Sequence, residues 1–265
     1  MKAKFFILIF VIFIIIIIGA IFVLKNRKGS ETTEPKNLEN LIMEKITLKT
    51  EDNLNIIGLY YPSPSSKGVL LLHMMPATKE SWNEFAPKLQ AASYQVLAID
   101  LRGHGESTGG PEGFGNFSDA DHQKTILDID AGIEFLETKG IRQNDLILIG
   151  ASIGANLALL SLTEHKEIKK TVLLSPGIDY RGIKTEPLMA KLTADQKLML
   201  VGSNNDTQSN SDVLQKIASV APENIRSNIN VIIYQQAGHG SDMLGKTSAG
   251  EPDLGETILE WINDQ

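Results

Sequence analysis

Cysteine is absent from the 265 residues of this chain. Its absence excludes disulfide bonds, thiolate nucleophiles and cysteine-ligated metals together. The chain also lacks a His-Glu-x-x-His pattern, which would place two imidazoles on one helix face around zinc. The sequence therefore predicts chemistry that uses no metal and no other cofactor.

Positive charge is scarce as well, with 25 basic residues against 32 acidic ones and a formal net charge of −7. Five of the basic residues and none of the acidic ones fall within the first 30 residues, so the rest of the chain is strongly acidic. A protein that binds nucleic acid needs a basic surface to neutralise the phosphates. No nucleic-acid partner is predicted.

One long apolar run is present. Residues 5–24 are all apolar or small, with lysine and arginine on both sides, and a helix of that length at about 1.5 Å per residue spans the roughly 30 Å core of a bilayer. We predict a single-span membrane anchor at residues 1–28, a polar linker at 29–43 and a catalytic domain outside the cytoplasm. The alternative is a cleaved secretory signal, whose apolar core would be only about 7–15 residues long.

Beyond the linker, short apolar runs alternate with segments of helical periodicity. Continuous apolar runs are typical of strands buried on both faces, and strand–helix alternation indicates a parallel sheet with helices on both sides. The sequence therefore predicts an α/β fold with a mainly parallel eight-stranded sheet. The predicted strands are an edge hairpin at 46–50 and 54–61, followed by 68–73, 95–99, 146–149, 171–174, 197–201 and 230–234. The predicted helices are 81–92, 121–138, 155–164, 211–220 and 255–262.

The connection between two late strands is short. Residues 175–196 leave room for a loop and a short helix, but not for a separate lid. We therefore predict that residues 44–265 form one catalytic domain without a lid domain.

A Gly-x-Ser-x-Gly pattern follows the strand at 146–149 and precedes a helical segment. Gly150 and Gly154 lack Cβ atoms, so the strand and the helix can approach closely. Ser152 is then expected to project from a tight turn at the edge of the sheet. The non-catalytic interpretation is a helix N-cap, but the later loops supply the groups that a nucleophile needs, and we predict that Ser152 is one.

An acid and a histidine follow this serine in the order expected for a nucleophile elbow. His239 lies between two glycines after the last predicted strand and is predicted to act as base and then as acid. Asp206 is predicted to orient His239 and to stabilise its charged form. Asp179 is the rival acid, and Asp242 is disfavoured because it lies so near His239 in sequence.

The oxyanion formed during attack requires two hydrogen-bond donors. The backbone N–H of Ile153, at the start of a helix, is predicted to be one, and the N–H of Met75, in the loop after His73, the other. His73 and His104 are expected to brace loops, whereas His122 and His165 fall on helical patterns and are expected at the surface.

Together these motifs resemble the α/β-hydrolase superfamily over roughly residues 44–264. The resemblance rests on four segments, namely 100–107, 150–154, 201–206 and 238–240. It implies the α/β-hydrolase fold. In lacking a lid domain, the chain resembles the smaller esterase-like and dienelactone-hydrolase-like members. Met74 departs from the pattern. The family usually has glycine directly after the histidine at this strand end, here His73, whose following loop supplies an oxyanion donor.

We expect a serine hydrolase that cleaves small acyl esters through an acyl-enzyme. Thioester, amide or peptide hydrolysis by the same residues is the alternative, and a non-catalytic binding protein with this fold is a further one. Residues 240–247 also fit the Gly-x4-Gly-Lys-Thr pattern of phosphate-binding loops. The Ser-Ala-Gly-Glu-Pro that follows is poor helix sequence, so no helix N-terminus would face a phosphate, and nucleotide hydrolysis is disfavoured.

Overall fold

The computed structural model describes residues 42–246 and 250–264. The predicted anchor and almost all of the predicted linker lie outside the described residues. Within the described ranges, no helix is both long enough and apolar enough to cross a bilayer. The assignment of residues 1–28 to a membrane thus stays a prediction.

An eight-stranded sheet in the order β1-β2-β4-β3-β5-β6-β9-β10 organises the described residues. The first two strands form an antiparallel hairpin at one edge, β2 pairs antiparallel with β4, and all remaining pairs are parallel. This confirms the predicted α/β architecture. The strands are β1 (Glu44–Lys49), β2 (Asn55–Tyr61), β3 (Gly68–Leu72), β4 (Gln95–Ile99), β5 (Leu146–Ala151), β6 (Lys170–Leu174), β7 (Asp179–Tyr180), β8 (Ile183–Lys184), β9 (Lys197–Ser203) and β10 (Ile229–Tyr234).

Helices cover both faces of the sheet, and each face has its own apolar core. In β3, Leu70 and Leu72 join one core while Val69 and Leu71 join the other, and all four are fully buried. Successive side chains of a strand point to opposite faces, which explains the unbroken apolar runs. The helices are α1 (Ala86–Ala91), α2 (Asp119–Gln123), α3 (Ile126–Thr138), α4 (Ile153–Glu164), α5 (Thr185–Met189), α6 (Ser211–Ser219) and α7 (Leu254–Asn263).

The predicted helix at 81–92 is shorter than the sequence pattern suggests. A 3₁₀ turn at Lys79–Trp82 comes first, and α1 begins only at Ala86, with Pro87 in its first turn. Proline has no N–H to donate and clashes with the preceding turn of an established helix. It is tolerated at a helix start, so the α-helix begins beside Pro87 rather than running through it.

The predicted helix at 121–138 is divided into α2 and α3. Lys124 and Thr125 lie between them with ψ of −11° and −15°. These angles differ from the roughly −42° of an α-helix, so the helix is interrupted at these two residues. The placement of His122 at a helix surface is wrong: the residue is 2% exposed, and its ring packs edge-on against Phe117. His165, also expected at the surface, is half-buried and bonds Asp130.

Residues 175–196 contain the predicted short helix, α5, and also a two-stranded ribbon of β7 and β8 that the sequence pattern does not reveal. Arg181 and Gly182 connect the two strands, with φ of +55° and +79°. Positive φ at both central residues is what a type I′ hairpin turn requires. The ribbon places Tyr180 and Arg181 above the carboxyl end of the sheet.

Candidate active site

Ser152 occupies a strained turn between β5 and α4. Its φ and ψ are +54° and −119°, a region that residues other than glycine rarely adopt. A Cβ atom on Gly150 would lie 2.1 Å from the carbonyl oxygen of Gly154, and one on Gly154 would lie 2.5 Å from that of Leu72. Gly150 therefore allows the close approach of β5 and α4 that was inferred from the motif, and Gly154 allows α4 to approach the end of β3.

The Ser152 turn opens onto a cavity of about 790 Å³ at the carboxyl ends of the parallel strands. Active sites of open parallel sheets form at this edge. Both apolar and polar residues line it. The lining residues are Met75, Ser152, Ile153, Gly177, Ile178, Asp179, Tyr180, Arg181, Thr207, Gln208, Val213 and His239. Four of the five predicted site residues thus face one space, and the fifth, Asp206, lies behind His239.

Asp206 and His239 form a direct pair. The Nδ1–H of His239 donates to Asp206 Oδ2 at 2.6 Å, and the backbone N–H of Gln208 donates to Oδ1 at 3.0 Å. Burial alone would raise the pKa of Asp206, but these hydrogen bonds outweigh it and hold the pKa below its usual value. Asp206 therefore stays ionised and fixes the imidazole with Nε2 free to accept a proton.

Neither rival acid bonds the His239 ring in the part of the chain that the structure describes. Asp179 is exposed and accepts the N–H of Gly182 at 2.8 Å within the ribbon turn. Asp242 is exposed, and its backbone N–H bonds the carbonyl of His239. The structure thus brings Asp206, and neither alternative, to the His239 ring.

Three polar residues that sequence reasoning missed connect the loop that carries Asp206 (the acid loop) and the end of β6 to the loop that carries His239 (the histidine loop). Ser203 Oγ donates to Asn205 Oδ1 at 2.7 Å, and the same amide oxygen accepts the N–H of Gly238 at 3.1 Å. Ser175, fully buried with φ of +52°, accepts the N–H of Gly240 on its hydroxyl at 2.9 Å. The signal in the sequence was the position of Ser175 and Ser203 at the carboxyl ends of strands.

The two predicted oxyanion donors are available. Met75 and Ile153 both line the cavity, and among the described residues neither backbone N–H is engaged in a hydrogen bond. Ile153 is the first residue of α4, where N–H groups have no partner within the helix. Met74, which replaces the usual glycine, packs against Gly240: a Cβ atom there would lie 2.6 Å from the Met74 sulfur. The replacement therefore joins the oxyanion loop to the histidine loop.

Buried polar side chains brace the loop after β3 that carries Met74 and Met75 (the oxyanion loop). The Nδ1–H of His73 donates to the carbonyl of Met74 at 2.9 Å, and its Nε2 accepts the N–H of Leu101 at 3.0 Å. Burial lowers the pKa of His73 to about 3, so the ring is neutral. Lys79 and Asp100 form a buried ion pair at 2.8 Å just beyond the loop. The predicted bracing role of His73 agrees with these contacts.

The nucleophile and the base share the cavity without touching. Among the hydrogen bonds of residues 42–246 and 250–264, none joins the Ser152 hydroxyl to His239. Catalytic hydrogen bonds are often long in enzymes without substrate and shorten in the substrate complex. The arrangement is that of a serine, an imidazole and a carboxylate that can act in sequence on a carbonyl group bound in the cavity.

Sequence comparison finds a family and a partial relative. The family model described as serine aminopeptidase, S33, matches residues 63–224, more than half of the chain. A stretch of 126 residues is 32% identical to the multifunctional-autoprocessing repeats-in-toxin of Vibrio cholerae, covering 43% of this chain and 3% of the toxin. The chain therefore spans only a very small part of that relative.

Solved structures share the fold over most of the chain. An esterase from Pyrococcus furiosus has a TM-score of 0.67 at 20% identity, covering 84% of this chain and 90% of its own. A protein assigned as a dienelactone hydrolase from Klebsiella pneumoniae has a TM-score of 0.68 at 12% identity, covering 85% and 100%. At these identities the likeness is one of fold, and it confirms the predicted α/β-hydrolase architecture.

Proposed function

Since this chain belongs to the serine aminopeptidase S33 family and has the α/β-hydrolase fold, we propose that it is a serine hydrolase of carboxylic esters. The observation that carries the proposal is the 2.6 Å hydrogen bond from His239 to Asp206 at the cavity that Ser152 lines. A buried carboxylate that orients an imidazole beside a strained serine is the arrangement of a catalytic triad. Small-molecule acyl esters are the proposed substrates.

Acylation starts at the Ser152 hydroxyl. Its oxygen attacks the acyl carbon while His239 Nε2 accepts its proton, and Asp206 stabilises the resulting imidazolium. The carbonyl electron pair moves to the carbonyl oxygen, which becomes negatively charged. The N–H groups of Ile153 and Met75 are proposed to donate to this oxyanion, since both face the cavity and neither has another partner among the described residues.

The tetrahedral intermediate then collapses. The electron pair on the oxyanion re-forms the carbonyl, the bond to the leaving oxygen breaks, and the imidazolium of His239 protonates that oxygen. Water next attacks the acyl-serine with His239 as base, and the same steps release the acid and restore the Ser152 hydroxyl.

Labelling by a fluorophosphonate tests the nucleophile. We expect the full chain, in detergent, to become labelled at one serine and to hydrolyse a p-nitrophenyl ester, and we expect Ser152→Ala to lose both properties. Ser175→Ala is a poor control because Ser175 holds the histidine loop. Ser161→Ala, which changes a buried serine within α4, is the matched control and should retain labelling. Equal labelling of wild type and Ser152→Ala would refute the proposal.

Peptide or amide hydrolysis is the second candidate, and two observations favour it. The matched family carries the description serine aminopeptidase, and Asp179 is an exposed acidic residue in the cavity lining, a charge that suits a free α-amino group. Aminoacyl anilides compared with their N-acetylated counterparts discriminate the two. An aminopeptidase would cleave only the free amines and would lose that preference in Asp179→Asn, whereas an esterase would cleave neither anilide efficiently.

We also propose that residues 1–28 anchor the chain in a membrane, that residues 29–43 form a tether, and that the domain at 44–265 acts outside the cytoplasm. The apolar run at 5–24 and the absence of a small-residue cleavage pattern after it support this. Membrane fractions from producing cells should contain the uncleaved chain, and external protease should degrade the domain in intact spheroplasts. Recovery of a shortened soluble chain would contradict the anchor.

A further inference from the structure

Tyr180 lies beside the nucleophile although no motif pointed to it. Its side chain lines the same cavity as Ser152 and His239. The hydroxyl faces the carbonyl oxygen of Ser175 at 3.4 Å, well beyond the 2.5–3.0 Å of a normal O–H···O bond. The Tyr180 hydroxyl is therefore only weakly hydrogen-bonded and can turn to donate to a better acceptor in the cavity.

The ring of Tyr180 is fixed in place by the chain around it. The type I′ turn at Arg181 and Gly182 sets the direction of the ribbon. The ring packs on Gly177 so closely that a Cβ atom there would lie 2.5 Å from the ring. The Asn156 amide, one turn into α4, donates to the carbonyls of Gly177 and Ile183 at 3.0 and 2.8 Å.

Asn156 thus ties the ribbon to the helix that carries the nucleophile turn. This amide is fully buried, and both its nitrogen and its oxygen are bonded, so it defines the position of the ribbon with respect to Ser152. Because the ribbon holds the Tyr180 ring in place, its hydroxyl does not have to be brought into position when charge develops in the transition state.

The order of the strands shows which part of a substrate Tyr180 would meet. In the sheet, β3 lies on one side of β5 and β6 lies on the other. Met75, a proposed oxyanion donor, follows β3, whereas Tyr180 follows β6, and His239 follows β10 on the same side as Tyr180. The carbonyl oxygen is therefore expected on the β3 side, and the leaving oxygen, which His239 protonates, on the side of Tyr180.

Tyr180 is a hydrogen-bond donor at every working pH. Burial raises the pKa of its hydroxyl to about 12, while the neighbouring Ser152 side chain acts in the opposite direction. A phenol in this state keeps its proton and can donate to an oxygen that becomes negative.

Resting on the proposed esterase function, we propose that Tyr180 is a further catalytic residue, whose hydroxyl donates a hydrogen bond to the leaving-group oxygen. As the tetrahedral intermediate collapses, the carbon–oxygen bond breaks and its electron pair goes to that oxygen. His239 supplies the proton, and Tyr180 keeps its own while stabilising the charge that precedes protonation. The site is then suited to esters of ordinary alcohols, whose leaving oxygens are strongly basic.

A leaving-group series tests this role in the full chain. The acetate esters of ethanol, trifluoroethanol, phenol and p-nitrophenol share one acyl group and differ in the basicity of the leaving oxygen. We expect Tyr180→Phe to lower kcat/KM about 10- to 100-fold for the ethyl ester, as for the loss of a hydrogen bond to a charged group. For the p-nitrophenyl ester, whose leaving oxygen needs little stabilisation, the loss should be less than about threefold.

Two controls separate this role from structural support. Tyr94→Phe removes a hydroxyl that donates to Asn263 Oδ1 at 3.0 Å. Tyr94 is buried and does not line the Ser152 cavity, so this variant should keep the wild-type ratio of ethyl to p-nitrophenyl rates. Fluorophosphonate labelling expels fluoride rather than an oxygen, so Tyr180→Phe should become labelled at the wild-type rate.

An equal loss across the four esters, no loss, or a parallel loss of labelling would overturn the role of Tyr180. Those results leave wild-type ester hydrolysis intact and so leave the proposed function standing. A wild-type chain that neither hydrolyses any of the esters nor becomes labelled would instead refute the proposed function itself.

Discussion

Asp206 differs from the other acidic residues near His239 in being buried and doubly hydrogen-bonded. The Asp206→Asn variant keeps the shape but removes the charge that stabilises the imidazolium and allows the imidazole to adopt the wrong tautomer. We expect kcat to fall by about 10³- to 10⁴-fold, with little change in the melting temperature. Asp242→Asn changes an exposed carboxylate three residues after His239, and a comparable loss there would contradict the assignment.

Lys79 and Asp100 are 1% and 0% exposed and lie 2.8 Å apart. Lys79→Met leaves the Asp100 carboxylate buried without its cation, which typically costs about 3–5 kcal/mol. Lys169→Met is the matched control, because Lys169 pairs with Asp195 at a partly exposed position away from Asp100, and exposed pairs contribute at most about 1 kcal/mol. Urea unfolding measures both values. Similar losses in the two variants would show that the buried pair contributes nothing beyond an exposed one.

The residues of the site divide into those that sequence could identify and those that it could not. The placement of Ser152 and His239 at one cavity, with Asp206 at the His239 ring, was predictable because each lies in a motif at the carboxyl end of a strand. The choice of Asp206 over Asp179 depended on which loop reaches the histidine, and that distance is set by packing rather than by spacing. Tyr180 carried no motif, and its position depends on a two-residue turn with positive φ and on the Asn156 amide.

Helix α4 approaches the carboxyl end of strand β3 more closely at Gly154 than any side chain would permit. In Gly154→Ala, the new Cβ atom would meet the carbonyl oxygens of Leu72 and His73 at 2.5 and 2.7 Å. Since backbone cannot move aside as a flexible side chain can, we expect a loss of about 1–3 kcal/mol or more and strongly reduced activity. Gly115→Ala, where a Cβ atom meets nothing within 4 Å, should change the free energy of unfolding by less than about 0.5 kcal/mol.

Helices α3 and α4 are linked by a pH-dependent contact. His165 Nε2 bonds the Asp130 carboxylate at 2.9 Å, and this bond raises the pKa of His165 against the opposing effect of burial. Because the folded pKa exceeds the unfolded value of 6.5, the contribution is complete below that value. It is lost as the pH rises through the folded pKa.

We therefore expect Asp130→Asn to cost up to about 1 kcal/mol at pH 5.5 and almost nothing at pH 8.5. Urea unfolding of wild type and variant at the two pH values measures the difference. A constant or widening gap at the higher pH would show that the contact is a neutral hydrogen bond rather than an ion pair.

Secondary structure followed the sequence where the physical signal was strong. The strands predicted at 68–73, 95–99 and 146–149 are found at 68–72, 95–99 and 146–151, because strands buried on both faces leave little room for polar residues. The division of the predicted helix at Lys124 and Thr125 could not be predicted. Neither residue is a helix breaker, and only the backbone angles there are unusual. The ribbon of β7 and β8 was too short for any periodicity to show.

Charge is distributed unevenly along the chain, and it bears on which esters reach the site. After the first 30 residues, 32 acidic side chains face 20 basic ones, so the domain repels anions over a distance set by the ionic strength. At the cavity itself, Asp179 and Arg181 carry opposite charges and offset each other. The long-range field should therefore dominate over any local preference for charged substrates.

Esters of one phenol with neutral, anionic and cationic acyl groups test this expectation: phenyl acetate, monophenyl succinate and the phenyl ester of betaine. Raising the salt from about 10 to 300 mM shortens the screening length from roughly 30 Å to below 10 Å. We expect kcat/KM to rise at least about twofold for the anion, to fall for the cation and to stay level for the neutral ester. A fall for the anionic ester would mean that Arg181 binds it directly, and Arg181→Gln should then abolish the salt effect.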